Sequence, residues 1–254
     1  MTRYIEAVVF DLDDTLIDWS AQTLSYGEIS RPHVGKMHAY LMAENHALPD
    51  EEAFFQHYRR TVLADWQAAR GVWQDMSFFN SLNHLFQALE LDINRIDFEA
   101  VMRAYDWRPA AEVKLYADTL AVLTYLQQEG YKIGLITNSM LPMWMRDVEL
   151  EAYGLLDFFD ARTTSGDAGY MKPHAAVFHH LLDQLNTRPE RAVFVGDSPE
   201  HDIAGANAAG MVSILIDPPH LDRDLNGTQP DYTINELSEL LPILVELEDG
   251  PNYK

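Results

Sequence analysis

Short apolar runs recur along the chain, each with the length of a buried strand. They lie at residues 7–10, 133–136, 192–195 and 212–216. Continuous apolar runs of this kind are typical of strands that are covered on both faces, as in a parallel sheet. Residues 232–234 are predicted to form a last strand. The chain is therefore expected to contain a parallel β-sheet.

Segments with a helical period lie between and after these runs. They cover residues 118–130, 142–154, 203–210 and 236–247. In the first of them, Asp118 is predicted to cap the helix, and Leu120, Leu123 and Leu126 are predicted to share one face. Strands that alternate with helices indicate βαβ units. The predicted fold class is thus α/β, with a doubly wound Rossmann-like parallel sheet.

One long stretch breaks this alternation, because residues 17–111 contain no clear strand-length apolar run. Four helices are predicted there, over residues 32–45, 50–69, 77–89 and 97–107. Asp50, Ser77 and Asp97 are their candidate N-caps. We expect residues 17–111 to be an α-helical cap domain inserted into an α/β core of residues 1–16 and 112–254. A separate all-helical N-terminal domain would leave the first apolar run without a sheet.

The net charge of the chain argues against some classes of binding partner. The chain has 254 residues with 18 basic and 40 acidic side chains, a net charge of −22. Such a balance argues against nucleic-acid binding and against anionic membrane surfaces. It contains no cysteine, which excludes disulfides and thiolate catalysis. Because the N-terminus lacks secretory character and no long apolar stretch occurs, a cytoplasmic protein is expected.

Polar residues follow three of the predicted strands. Asp11 and Asp13 come after the first, Thr137 and Asn138 after the second, and Asp197 after the third. Ligands of open α/β sheets bind outside the carboxyl ends of the strands, so these side chains should meet. Converging carboxylates repel one another unless a cation holds them. Mg²⁺, a hard cation with oxygen ligands, is the predicted cofactor.

Four motifs in this order resemble the haloacid dehalogenase superfamily, in its helical-cap, phosphatase-like branch. They are DLDDTL (11–16), LITNS (135–139), the lysine–proline pair within SGDAGYMKPHAAVF (165–178) and VGDSPEHDIAGANAAG (195–210). The resemblance covers nearly the whole predicted core. It implies a hydrolase that acts on a small phosphorylated metabolite.

The resemblance also implies a role for each matching residue. Asp11 would be the nucleophile that accepts a phosphoryl group, and Asp13 would be the general acid and then the base. Thr137 and the Asn138 backbone would bind phosphoryl oxygens. Lys172 would balance the charge on the phosphoryl group and on Asp11. In-line phosphoryl transfer depends mainly on such positioning and charge neutralisation.

For the metal, the resemblance implies three ligands. These are the carboxylates of Asp11 and Asp197 and the main-chain carbonyl of Asp13. Asp202 would support the metal through water or through Lys172. An alternative interpretation is that Asp202 is a charged residue at the start of a helix, where it interacts favourably with the helix dipole.

Other activities fit the motifs less well. Dehalogenases of the superfamily lack the second carboxylate and need no metal, so Asp13 and Asp197 count against them. Phosphonatases use a cap lysine, and Lys36, the only lysine between residues 17 and 111, is typical of a solvated helix residue. A sugar phosphomutase keeps every motif and is the alternative enzyme. A non-enzymatic aspartyl-phosphate signalling module is much shorter and has no helical lid.

Residues of the predicted cap are the candidates for contact with the substrate. The aromatic and basic residues of the cap would suit a nucleotide, a sugar phosphate or a small organic phosphate, although most of the aromatics are expected in the cap core. These residues are Trp19, Tyr26, Arg31, His33, Lys36, His38, Arg59, Arg60, Trp66, Arg70 and Trp73. Near the motifs, Ser139 and Ser198 are predicted to be turn and cap residues, and Asp14 and Asp18 to be exposed.

Overall fold

A computed structural model describes residues 4–74, 76–218, 220–221 and 223–248. The strands are β1 (Ala7–Phe10), β2 (Ile17–Asp18), β3 (Lys114–Leu115), β4 (Lys132–Thr137), β5 (Ala161–Thr164), β6 (Ala192–Gly196), β7 (Val212–Ile216) and β8 (Tyr232–Ile234). Among these residues, six strands form one parallel sheet in the order β5-β4-β1-β6-β7-β8. The predicted α/β class and parallel sheet are confirmed.

Helices cover the sheet and form a block between β2 and β3. That block contains α1 (Tyr26–Ala43), α2 (Glu51–Arg70), α3 (Phe78–Ala88) and α4 (Phe98–Tyr105). The remaining helices are α5 (Thr119–Gln128), α6 (Met143–Ala152), α7 (Ser165–Ala168), α8 (Ala175–Gln184), α9 (Ala204–Ala209) and α10 (Leu240–Leu247). None of the helices in the described part combines the length and apolar character that a bilayer crossing requires.

The helices of the block begin where their capping residues stand. As predicted, the side chains of Asp50, Ser77 and Asp97 accept hydrogen bonds from backbone N–H groups in the first turns of α2, α3 and α4. The start predicted for α1 was wrong, because the helix begins at Tyr26. Ser25 and Glu28 form a reciprocal capping box there, and the proline at which the helix was expected to start lies inside it.

Several other predictions need correction. Asp118 stands at the N-cap position of α5, but its side chain accepts from the backbone of Ser238 instead. Leu120 is 44% exposed, so the buried face of α5 consists of Val122, Leu123 and Leu126. Strand β5 was missed because its sequence, ARTT, is polar and lies at the sheet edge.

The last two predicted helices also begin elsewhere. A π-helical turn over Pro199–Ile203 precedes α9, so the helical segment starts four residues earlier than expected. A 3₁₀ turn over Leu237–Glu239 precedes α10. Both turns lie where the chain leaves a strand, and a tighter or wider turn there adjusts the direction of the helix that follows.

The helical block has its own hydrophobic cluster, built around side chains such as Val34, Leu41, Phe54 and Phe86. Met140 and Met171 of the α/β part belong to the same cluster. Backbone hydrogen bonds near the cavity join the parts: Phe78 N–H donates to Met140 O at 2.8 Å, and Met171 N–H donates to Trp73 O at 2.8 Å. The block therefore lies against the carboxyl edge of the sheet. Its division from the core at residues 17 and 111 stays a prediction.

Candidate active site

The three predicted strand ends lie side by side in the sheet. Strand β1 is central, with β4 on one side and β6 on the other. Phe10 is in register with Leu135 and Val195, and Asp11 N–H donates to Val195 O at 2.9 Å. Because all three strands are parallel, the residues that follow them emerge at one edge. The predicted convergence of Asp11, Thr137 and Asp197 is thus observed.

A buried lysine connects two of the carboxylates. Lys172 Nζ lies 2.6 Å from Asp11 Oδ1 and 2.6 Å from Asp202 Oδ1, and it donates to Ile136 O at 3.1 Å. Its side chain is 2% exposed. Burial lowers the pKa of Lys172, but the two carboxylates outweigh burial and hold this pKa above its usual value. Lys172 is therefore a permanent positive charge beside Asp11.

Three buried aspartates form an acidic cluster. Single carboxylate oxygens of Asp11, Asp197 and Asp202 all lie within 4.8 Å of one another. Burial raises the pKa of Asp11 well above its usual value, while Lys172 opposes this rise. Burial, together with Asp202, raises the pKa of Asp197 to about 7. The hard oxygen donors of this cluster suit a divalent cation.

The close approach of Asp202 depends on a glycine. A Cβ at Gly196 would lie 2.5 Å from the carboxyl carbon of Asp202, which is closer than atoms pack. Asp202 is completely buried and its Oδ2 accepts from Ser198 N–H at 2.9 Å. Asp202 also lies in the first turn after the N-cap residue Ser198, so its carboxylate contacts both Lys172 and the start of a helical turn.

Asp13 points to a different set of partners. Its Oδ1 accepts from Trp19 Nε1 at 2.9 Å, and its Oδ2 accepts from Thr137 Oγ1 at 3.2 Å. Arg146 Nη2 lies 3.1 Å from both carboxylate oxygens. The guanidinium of Arg146 also lies 2.7 Å, through Nε, from Glu149 Oε2. The carboxylate of Asp13 thus faces α6 rather than the acidic cluster.

Asn138 acts on Lys172 through a pair of hydrogen bonds. Its Oδ1 accepts from Lys172 N–H at 2.8 Å, and its Nδ2 donates to Lys172 O at 3.0 Å. The amide side chain therefore fixes the main chain that carries the lysine. Thr137 is fully buried, and its hydroxyl donates to Asp13. Ser139 and Ser198 accept from nearby backbone N–H groups, as expected of turn and cap residues.

Asp14 and Asp18 are less exposed than predicted, with side chains 24% and 16% accessible. Asp14 accepts from Trp19 N–H at 3.2 Å. Arg223 lies 3.5 Å from Asp14 and also contacts Asp197. Arg223 was missed from the sequence, because the loop that carries it has no motif that ties it to the aspartates.

Arg146 and Glu149 were also missed. They lie one helical turn apart on α6, and their side chains are 7% and 1% exposed. Burial raises the pKa of Glu149 to about 7. A charged pair at this spacing is normally an exposed surface feature. The clue available in the sequence was the position of α6, which directly follows the Thr137 motif.

A cavity of about 870 Å³ lies between the helical block and the sheet edge. Asp13, Asn138 and Arg146 form part of its wall. Of the cap residues considered from the sequence, those that line it are Trp19, Tyr26, Arg59, Arg60, Trp66, Arg70 and Trp73. Four of the described lining residues are arginines, whereas Asp13 is the one carboxylate among them. Among the described lining residues, basic side chains thus outnumber carboxylates, in a chain whose net charge is strongly negative.

The other four candidate residues of the cap have different partners. Arg31 pairs with Glu52 and Lys36 with Asp106, both on the outside of the block. The ring of His33 lies 3.1 Å from Tyr105 O, and that of His38 lies 2.9 Å from Pro49 O. The expectation that these residues contribute to the substrate site is not supported by their positions.

Known proteins resemble this chain over most of its length. Residues 5–210 match a family described as haloacid dehalogenase-like hydrolase. A ribulose-1,5-bisphosphate 5-phosphatase of Halopiger xanaduensis is 32% identical, over 94% of this chain and 98% of its own. A glyceraldehyde 3-phosphate phosphatase of Methanopyrus kandleri is 29% identical, with coverages of 96% and 98%. A solved HAD phosphatase of Thermococcus onnurineus superposes with a TM-score of 0.59 and 26% identity, with coverages of 94% and 98%.

Proposed function

The chain belongs to the haloacid dehalogenase-like hydrolase family and is an enzyme of its phosphatase branch, and we propose that it hydrolyses the phosphate monoester of a small metabolite through an aspartyl-phosphate. The observation that carries this proposal is the contact of Lys172 with Asp11 and Asp202 at the sheet edge. It places a carboxylate nucleophile beside a fixed positive charge. The cytoplasmic location stays a prediction.

In the first half of the proposed reaction, an Asp11 carboxylate oxygen attacks phosphorus and the bond to the leaving oxygen breaks. Asp13 gives its proton to that oxygen, which departs as an alcohol. In the second half, Asp13 removes a proton from water, and the resulting hydroxide attacks the aspartyl-phosphate. Inorganic phosphate leaves and the Asp11 carboxylate is regenerated.

Other residues neutralise and orient the phosphoryl group. Lys172 would balance its negative charge, and Thr137 and the Asn138 backbone would donate to its oxygens. Because the Thr137 hydroxyl donates to Asp13, it would have to rotate toward the phosphoryl group when substrate binds. The Asn138 side chain keeps Lys172 in place during the reaction.

We propose that the acidic cluster holds Mg²⁺. Its ligands would be the carboxylates of Asp11 and Asp197 and the main-chain carbonyl of Asp13, with Asp202 in support. When bound, the ion supplies charge neutralisation between the nucleophile and the phosphoryl oxygens. Arg223, which contacts Asp197, would then move aside or share that carboxylate.

Activity on a broad panel of phosphate monoesters tests this proposal. We expect hydrolysis that requires Mg²⁺, is lost in EDTA and returns when Mg²⁺ is added back in excess. Phosphate release and the fate of the leaving group are measured together. If the phosphoryl group moved to a sugar hydroxyl instead of water, the enzyme would be a phosphomutase. Absence of any metal-dependent turnover across the panel would contradict the proposal.

We further propose that residues 17–111 act as a cap that selects the leaving group. Arg60 lines the cavity, whereas Arg31 is a matched arginine on the outside of the block. Arg60→Ala should change kcat/KM unevenly across the panel, by about 10-fold for substrates whose leaving group carries a second anion. Arg31→Ala should leave every substrate unchanged. Equal effects of both variants on all substrates would show that the cavity does not select among leaving groups.

A further inference from the structure

A buried chain of charges leads from the interior of α6 to the cavity. Glu149 contacts Arg146 at 2.7 Å, and Arg146 contacts both oxygens of Asp13 at 3.1 Å. The exposed fraction of the side chains rises along this chain, from 1% for Glu149 through 7% for Arg146 to 34% for Asp13. The reactive carboxylate is therefore the only member with substantial access to the cavity.

This arrangement fixes the direction in which Asp13 points. The guanidinium of Arg146 lies between two carboxylates: Nε is 2.7 Å from Glu149 Oε2 in an ion pair, and Nη2 donates to Asp13. Nη2 donates to both oxygens of Asp13 at 3.1 Å, while Trp19 Nε1 donates to Oδ1 and the Thr137 hydroxyl donates to Oδ2. A side chain with two free rotations is thereby held in one orientation. Proton transfer is sensitive to such small differences in position.

We propose that Arg146 is a positioning residue that orients Asp13 for proton transfer and is itself held by Glu149. The inference rests on the proposed phosphatase function. It assigns to α6 a part of the machinery that none of the four sequence motifs contains. Arg146 also lines the cavity, and the inference is that its effect on the reaction passes through Asp13 rather than through a contact with the substrate.

The chemistry gives this role a recognisable signature. An alkoxide is a poor leaving group and needs the proton from Asp13, whereas p-nitrophenolate leaves without one. A misplaced Asp13 should therefore slow the cleavage of alkyl phosphates more than that of p-nitrophenyl phosphate. With the aryl ester, the second half of the reaction becomes limiting, because Asp13 must still activate water.

The first experiment compares Arg146→Gln with the wild type on both kinds of ester. We expect phosphoenzyme formation from an alkyl phosphate to slow by about 10- to 100-fold, within the range of acid–base contributions. With p-nitrophenyl phosphate, a burst of nitrophenolate should precede a slow steady state. Glu149→Gln should change the rates on both substrates in the same direction as Arg146→Gln, but by a smaller factor.

The variants should stay folded, although removal of Arg146 lowers the free energy of unfolding because the buried Glu149 loses its partner. Burial already raises the pKa of Glu149 to about 7, so its carboxyl can take up a proton once Arg146 is removed. Arg162→Gln is the matched control, because it breaks another ion pair with α6, that between Arg162 and Asp147. This control should keep wild-type rates on both esters.

A double-mutant cycle decides between positioning and a merely structural role. If Arg146 acts through Asp13, then Arg146→Gln should cost almost nothing in the Asp13→Asn background. A loss of similar size in both backgrounds, or equal losses on alkyl and aryl esters without a burst, would overturn the inference. Inactive wild-type enzyme would instead contradict the proposed function.

Discussion

Asp11→Asn is expected to abolish turnover, with a loss of at least about 10⁴-fold, comparable to the removal of a covalent nucleophile in other enzymes. A neutral amide does not attack phosphorus, and the remaining carboxylates of the cluster, Asp197 and Asp202, are those proposed to hold and support the metal. The phosphoenzyme should disappear together with turnover. Acid quenching after mixing with radiolabelled substrate measures both quantities on one sample.

The matched control for that variant is Asp118→Asn. The Asp118 carboxylate accepts from Ser238 N–H, far from the cluster, and the amide oxygen of asparagine can accept the same bond. Wild-type turnover is expected for this control. A phosphoenzyme that still formed in Asp11→Asn would show that another residue is the nucleophile and would contradict the assignment of Asp11.

The central strands were predictable because burial on both faces demands continuous apolar sequence. Strands β1, β6 and β7 show this, since their residues are almost all buried. The edge strand β5 could not be predicted in the same way. Three of its four residues are buried but also three of the four are polar, and Arg162 pairs with Asp147 of α6. Two-residue strands such as β2 and β3 carry too little pattern for any periodicity to show.

The site residues that directly follow the ends of strands could be predicted from the sequence. Asp11 and Asp197 emerge there by topology alone, and the sequence motif supplied Lys172. Arg146 and Glu149 could not be found in this way. Arg146 is 133 residues from Asp13 in sequence, and the burial of this pair depends on how α6 packs beneath the cavity. Helical spacing shows that two charges are neighbours, but tertiary packing decides whether they are buried.

Lys172→Met is expected to cost both stability and activity. Removal of one partner from a buried charge pair leaves the other charge uncompensated, which typically costs about 3–5 kcal/mol. Here two carboxylates, Asp11 and Asp202, lose their partner. The control is Lys36→Met, which breaks a pair with Asp106 that is roughly half exposed and should cost about 0–1 kcal/mol. Denaturant unfolding measures both losses.

The pH dependence of that loss has a definite sign. Burial raises the pKa of Asp11 above its unfolded value, and Lys172 opposes the rise. Without the lysine, the folded state binds a proton that the unfolded state releases as the pH rises above about 4. Above the pH at which Asp11 ionises in the folded wild type, the stability of Lys172→Met should therefore fall relative to the wild type as the pH rises. A pH-independent difference would show that Asp11 is not paired with Lys172.

In catalysis, Lys172→Met should damage all substrates alike, because each carries the same phosphoryl group. This contrasts with Arg60→Ala in the cavity wall, which should reorder the substrates. The net charge of −22 repels a phosphate dianion at long range, so binding depends on local positive groups. Lys172 is the one that touches the nucleophile. Unequal losses across the panel, measured as kcat/KM at saturating Mg²⁺, would mean that Lys172 recognises the leaving group rather than the phosphoryl group.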